Sequence, residues 1–313
     1  MFSCQTPELQ NSDRSLRTEW LECNGTGDYA SGTITGCNSR RYHGLLVANL
    51  DHIGRHVLLS GMEDWLVTKN GRIPLSSRKH PNAIYPDPSG SLKTFSASPY
   101  PTFVFEGPGF RLTRSLMLVR DRHTVLIRYS LKKTDSSAPA LKCTLEAAPL
   151  LAFRGYHDLT HANMDLQVKT YPVWQGFKIQ PYNSLPPFFM QCSGTFDFLP
   201  SPDWIYNVEY PFDQERGFDY QEDLFSPGLF EITLTPGRDV ILSASTEEIL
   251  PPRGTKKTAR DLEEGRKGAS QGAGRYRLSR GLSGGPVRRL PHQGYARSGR
   301  PSRGLPLVRL VVP

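Results

Sequence analysis

The chain has 313 residues, 37% of them hydrophobic, enough to build one large domain or two smaller ones around a real core. Its net charge of +8 is unevenly placed: residues 251–313 hold 15 Lys+Arg against 3 Asp+Glu, net +12, and the first 250 hold 23 against 27, net −4. The basic balance therefore argues for no nucleic-acid partner, the five cysteines include no Cys-x-x-Cys pair of a zinc or redox motif, and no run approaches the roughly eighteen apolar residues of a membrane span.

Residues 1–18 read as an N-terminal extension, with Glu8, Asp13, Arg14 and Arg17 where a signal peptide would need an apolar core. Scattered Cys4, Cys23, Cys37, Cys143 and Cys192 fit reduced thiols, so the expected location is the cytoplasm. From Glu19 to Leu250 the pattern is one of short strands punctuated by Pro and Gly, with no long 3.6-period face.

Asn24-Gly25-Thr26-Gly27-Asp28-Tyr29-Ala30-Ser31-Gly32-Thr33 packs three glycines and a Tyr into a turn-rich stretch. Asn38-Ser39-Arg40-Arg41-Tyr42-His43-Gly44-Leu45-Leu46 then sets two guanidiniums and an imidazole before an apolar strand. A flexible backbone and a dense donor cluster are expected to meet at one point, as a polar recognition site. The glycine run lacks the Gly-Lys-Ser/Thr ending of a phosphate loop and reads as a structural loop. For Arg40, Arg41, Tyr42 and His43 two readings stand side by side, contact with a substrate or another domain and internal bracing. If these four continue a strand, alternation lets at most two share one surface.

Phe110 to Val119 predicts a strand, Arg120-Asp121-Arg122-His123 a polar turn, and Thr124 to Leu131 the returning strand, with Val125, Ile127, Tyr129 and Leu131 on one face. Leu141/Cys143/Leu145 and Phe230/Ile232/Leu234 alternate in the same way, whereas Asp197 to Phe225 reads as aromatic, Pro-rich and irregular. Tyr156 and His157 follow Arg154, and Gly155 between them offers no carboxylate to orient the pair, so positioning is a better reading than acid-base work. His161 and Asp158 lack the helical frame and third ligand of a metal site, and neither metal nor cofactor is expected. Asp213, Glu215, Asp219, Glu222 and Asp223 form the richest carboxylate cluster and read as turn-forming, solvated groups. Trp174 and Trp204 stand in polar, irregular surroundings, where an aromatic plane suits the C–H face of a sugar as well as a core.

Taken together, Glu19-Trp20-Leu21, the glycine run, Arg40-Arg41-Tyr42-His43-Gly44-Leu45-Leu46, Leu151-Ala152-Phe153-Arg154-Gly155-Tyr156-His157 and Glu222-Asp223-Leu224-Phe225-Ser226-Pro227-Gly228 resemble the amino-terminal domain of bacterial and archaeal glycogen debranching enzymes. Two positions depart from the family's pattern, which has Gly where Asp28 stands and Asp where Gly155 stands. The resemblance implies a mainly β fold, a galactose-mutarotase-like β-supersandwich with long loops over residues 19–250. In the family it packs against a carboxy-terminal (α/α)6 barrel that carries the catalytic carboxylates. It also implies an amylo-α-1,6-glucosidase context, with an α-glucan such as glycogen or a branched dextrin as partner and Arg40, Arg41, Tyr42, His43, Tyr156, His157, Trp174 and Trp204 at the substrate or the domain interface. A stand-alone glucan-binding module and a non-functional truncated product are the competing expectations.

Residues 251–313 turn abruptly to Arg, Gly, Ser and Pro, a low-complexity basic tail expected to be disordered. One permitted codon choice for Gly304 to Val312, read one nucleotide later, gives Gly-Tyr-Pro-Trp-Phe-Gly-Trp-Trp, whose Gly-Tyr-Pro-Trp-Phe part is similar to the start of the family's barrel. An altered reading frame is therefore the sharper explanation of the tail, and the catalytic half is expected to be missing from this chain.

Overall fold

Val125, Ile127, Tyr129 and Leu131 are all fully buried, as their two-residue period requires, and they form the inner face of one of two large antiparallel sheets. The computed structural model describes residues 3–5, 9, 12–134 and 142–250. The expectations for Leu141 and for residues 251–313 lie outside them.

In chain order the strands are β1 (Ser3–Gln5), β2 (Glu19–Cys23), β3 (Tyr29–Thr33), β4 (Gly44–Leu50), β5 (Gly54–Thr68), β6 (Gly71–Pro74) and β7 (Lys79–His80). They continue with β8 (Ala83–Ile84), β9 (Leu92–Ser96), β10 (Thr102–Gly107), β11 (Phe110–Leu118), β12 (Thr124–Lys133), β13 (Cys143–Gly155) and β14 (Thr170–Val173). The last are β15 (Gly176–Ile179), β16 (Phe188–Cys192), β17 (Phe196–Leu199), β18 (Asp203–Glu209), β19 (Gln221–Ser226), β20 (Leu229–Leu234) and β21 (Asp239–Ser245). Two short helices, α1 (Ser12–Arg17) and α2 (Pro211–Glu215), complete the described elements.

The first sheet runs β1-β9-β10-β11-β12-β21-β16-β15-β14, and the second runs β17-β20-β13-β5-β4-β3-β2, with β6 on β5 and the β18–β19 hairpin joined to β13. Between the sheets lies the main core, to which Phe95, Phe103, Phe105 and Ile127 come from one side and Leu46, Leu66, Leu145 and Phe230 from the other. A buried charge crosses it: Arg114 of β11 donates to both oxygens of Asp64 on β5, and Tyr129 of β12 donates to Asp64 at 2.8 Å.

The second sheet is covered on its outer face as well. Leu46 and Ala48 of β4 face the main core, whereas Val47 joins Val57, Leu150, Ala152, Val208, Tyr210 and Leu224 in a second apolar cluster. Burial on both faces explains why Pro149 to Arg154 is buried almost without interruption. The segment expected to be irregular, Asp197 to Phe225, instead forms β17, β18, α2 and β19, and β18, β19 and Tyr210 supply this cover. Its aromatics pack rather than loop: Trp204 lies edge-on to Phe225 at 5.4 Å, and Tyr210 is fully buried. The amino-terminal residues are drawn in too, since Ser3–Gln5 pairs with β9 and both Cys4 and Leu9 sit in the main core.

Candidate functional site

The turn that joins β3 to β4 carries Arg40, Arg41, Tyr42 and His43, and their backbone is a turn rather than a strand. The alternation limit on shared surfaces therefore does not apply, and the four side chains fan out to different partners. The glycine loop lies at the other end of β3, so the two runs do not meet at one point. There Asn24 accepts from Thr26 and Asp28 amides, while buried Asp28 accepts from Asn24, the Asn49 amide and His123. Gly27 holds φ +103°, and a Cβ there would press on the Asn49 side chain at 2.9 Å, so the loop's glycines serve backbone geometry.

Arg41 binds three segments at once. Its amide and Nε donate to the two Asp213 oxygens at 2.7 and 3.2 Å, Nη1 donates to His157 O at 2.9 Å, and Nη2 to Asp219 O at 2.5 Å. Arg40 Nε donates to Glu19 at 2.6 Å, and its guanidinium covers the Phe212 ring, with Arg17 over the same ring at 4.9 Å. His43 is buried; its Nδ1 accepts from the Ser39 amide at 3.1 Å, which leaves Nε2 to face Glu19 at 3.4 Å. Burial would raise the Glu19 carboxyl, but the hydrogen bonds and charges of His43 and Arg40 outweigh that and hold it at about 2.

Beneath this turn, Arg154 makes a two-pronged pair with Glu222 through Nε to Oε1 and Nη2 to Oε2, and Tyr210 donates to Oε2. Glu222 Oε1 also accepts the Thr160 amide at 3.0 Å, and Arg154 Nη2 reaches Arg41 O at 2.9 Å. Burial disfavours the Arg154 charge, yet the Glu222 carboxylate beside it more than compensates and holds its proton tighter than usual; burial and the same carboxylate push the Tyr210 phenol well up. Glu222, 68 residues further along the chain, is thus the carboxylate that orients Arg154. The reading of the acidic cluster as solvated holds for Glu215 and Asp219, which are exposed, and fails for Asp213 and Glu222, which are buried counterions. The sequence signal for Glu222 is its two-residue spacing from buried Leu224 on β19, which puts it on the apolar face.

Above the pair, Tyr42 Oη is 3.2 Å from His157 Nδ1, and the Tyr42 ring is edge-on to Tyr156 and to His157, each at 5.6 Å. Exposed Phe218 lies 5.7 Å from the Arg41 guanidinium. The structure thus brings Arg40, Arg41, Tyr42, His43, Tyr156 and His157 together and spends both arginines and His43 on bracing. Trp174, 44% exposed, sits instead at the β14–β15 tip of the other sheet, where its backbone contacts Glu248 and Gln191. Trp204 is half-buried against the main core. Among the described residues no group of three or more His, Cys, Asp or Glu is arranged to hold a metal ion.

Comparison with curated proteins finds no match. Among solved structures, a bacterial glucoamylase complexed with acarbose aligns over 82% of this chain and 35% of its own, at 8% identity and a TM-score of 0.38. The chain therefore spans about a third of that protein's length. Residues 18–241 match the model of the glycogen debranching enzyme N-terminal family, and they contain both arms of the Arg41 and Arg154 networks. The chain belongs to the glycogen debranching enzyme N-terminal family.

Proposed function

We propose that this chain is the glucan-facing amino-terminal part of a cytoplasmic amylo-α-1,6-glucosidase, which hydrolyses α-1,6 branches in glycogen breakdown, and that it is catalytically silent by itself. The observation that carries the reading is the Arg41 brace. One guanidinium fixes the turn 39–43, the loop 155–160 and the loop after α2 into a single rim, from which Tyr42, Tyr156, His157 and Phe218 project. Side chains of that kind suit the hydroxyls and C–H faces of a sugar, or the wall of an adjoining domain.

Silence follows from the carboxylates. Glycoside hydrolysis uses two carboxyl groups flanking the scissile bond; of the carboxylates near this rim, Glu19, Asp213 and Glu222 are committed to cations, and we assign the exposed Asp158 and Asp219 no catalytic part. The acid and base then belong to a partner (α/α)6 barrel. A reducing-sugar assay of the purified 313-residue chain on a branched limit dextrin tests this, together with electrophoresis through a glycogen-containing gel. Retardation in the gel without hydrolysis is expected; hydrolysis would refute the assignment of catalysis to a barrel, and unretarded migration would refute the glucan-facing rim.

A further inference from the structure

The loop 155–160 is held from below at four backbone atoms by charged side chains, of which Arg154 and Glu222 are buried and Arg41 is half-buried. Arg154 Nη1 donates to Gly155 O at 3.2 Å and to Tyr156 O at 3.5 Å, Arg41 Nη1 donates to His157 O, and Glu222 accepts the Thr160 amide. A turn bond from the Asp158 amide to Gly155 O at 3.0 Å closes it. Loops are usually the mobile part of a fold, yet this one is anchored by the buried Arg154–Glu222 ion pair, and its consecutive His157 and Asp158 side chains are both exposed. Fixing a backbone with buried ion pairs while leaving its polar side chains in water is the arrangement of a preorganised recognition element.

Resting on the reading above, we infer that His157 and Asp158 form a donor–acceptor pair that reads adjacent hydroxyls of an α-glucan. Tyr42 Oη and His157 Nδ1 share a hydrogen bond at 3.2 Å; in the tautomer that takes it from the Tyr42 hydroxyl, the imidazole proton is carried on Nε2, on the side of the ring away from Tyr42. That nitrogen donates to a sugar oxygen, and the Asp158 carboxylate accepts from the neighbouring hydroxyl. A neutral polyol, which both donates and accepts at adjacent carbons, satisfies the pair; a purely anionic or purely cationic ligand satisfies one half only. The Tyr156 ring, 4.0 Å from the imidazole, backs His157 and limits its swing.

Gly155 completes the device. A Cβ at this position would fall on the Asp158 carboxylate oxygen, so the absence of a side chain at 155 is what lets Asp158 turn back over the loop. A carboxylate carried at 155 in place of the one at 158 would therefore approach the same turn from its other end.

The test is electrophoresis of the full chain through gels of increasing glycogen content, with thermal unfolding of each variant as a control. Asp158→Asn and His157→Gln are expected to weaken retention about tenfold each, the scale of one lost hydrogen bond to a charged or well-oriented group, with unfolding temperatures unchanged because both side chains are exposed. Gly155→Asp alone is expected to lose retention by displacing Asp158, and Gly155→Asp with Asp158→Gly to regain most of it. Wild-type retention that Asp158→Asn and His157→Gln leave untouched overturns the inference while the glucan-facing rim stands. A wild-type chain that is not retarded removes the rim itself. Variants that lose retention to glycogen and keep it to a barrel domain supplied in trans support the pair as a sugar reader, whereas loss of barrel capture with glycogen retention intact overturns it in favour of a protein contact.

Discussion

Replacing Glu222 by Gln removes the only negative charge that faces Arg154 in the described contacts, while keeping the shape of the side chain. Glu222 is fully buried and accepts from Arg154 Nε, Arg154 Nη2, the Thr160 amide and Tyr210. Breaking a buried pair on one side strands the other charge, at a cost of about 3–5 kcal/mol. In a domain of this size about 1 kcal/mol moves the unfolding midpoint by roughly 2–4 °C, so a fall of the order of 10 °C is expected by calorimetry. Urea unfolding should shift its midpoint with little change in slope, since the core is untouched. Amide hydrogen exchange should rise at 155–160 and 41–43 ahead of the rest, because Arg154 also holds Gly155 O and Arg41 O. Removing both partners as Arg154→Met with Glu222→Met should recover much of the loss, since an uncharged pair leaves no stranded ion. A Glu222→Gln variant within about 1 kcal/mol of wild type, or one whose exchange rises uniformly, would refute the account of this pair as the anchor of the rim.

Two pH effects of opposite sign follow. Burial pushes the Glu22 carboxyl up to about 8, with the Leu118 amide opposing, so the folded state binds its proton more tightly than the unfolded chain does. Stability from this group is full below pH 4.5 and declines up to pH 8, by about 3 kcal/mol at neutrality; Glu22→Gln should flatten that slope in urea titrations and be more stable than wild type at pH 8. Glu19, held at about 2, contributes above pH 4.5 and loses its contribution as pH falls towards 2, a decline that Glu19→Gln should abolish. Asp213→Asn should loosen the Arg41 amide and guanidinium together, detected as faster exchange at 39–43 and in the loop after α2. Trp174→Ala should leave glycogen retention within about twofold of wild type, because its exposed ring sits at the β14–β15 tip and not on the proposed Arg41-braced rim; a large loss would place the sugar surface on that tip instead.

The strands were legible wherever one face meets the core and the other meets water, as at β12, where Val125 to Leu131 alternates and the alternation is observed. Legibility failed where the second sheet is covered twice. There Val208, Tyr210 and Leu224 pack as a core, although their segment, rich in Pro and aromatics, reads as loop. The donors of the site were visible as Arg40, Arg41 and His43, but their acceptors were not, because Asp213 and Glu222 lie 172 and 68 residues away from the arginines they bind. Only tertiary contact distinguishes them from Glu215 and Asp219, which share their local composition and remain in solvent. Reading Arg40 to His43 as a strand continuation also misjudged how many partners four adjacent residues can reach, since a turn spreads side chains that a strand would alternate.

The most direct measurement is hydrogen–deuterium exchange of the full chain with and without a branched limit dextrin. The account expects protection gained at 42–43, 155–160 and 217–220 and no change at 171–176. Protection at 171–176 with none along the Arg41-braced rim would contradict it.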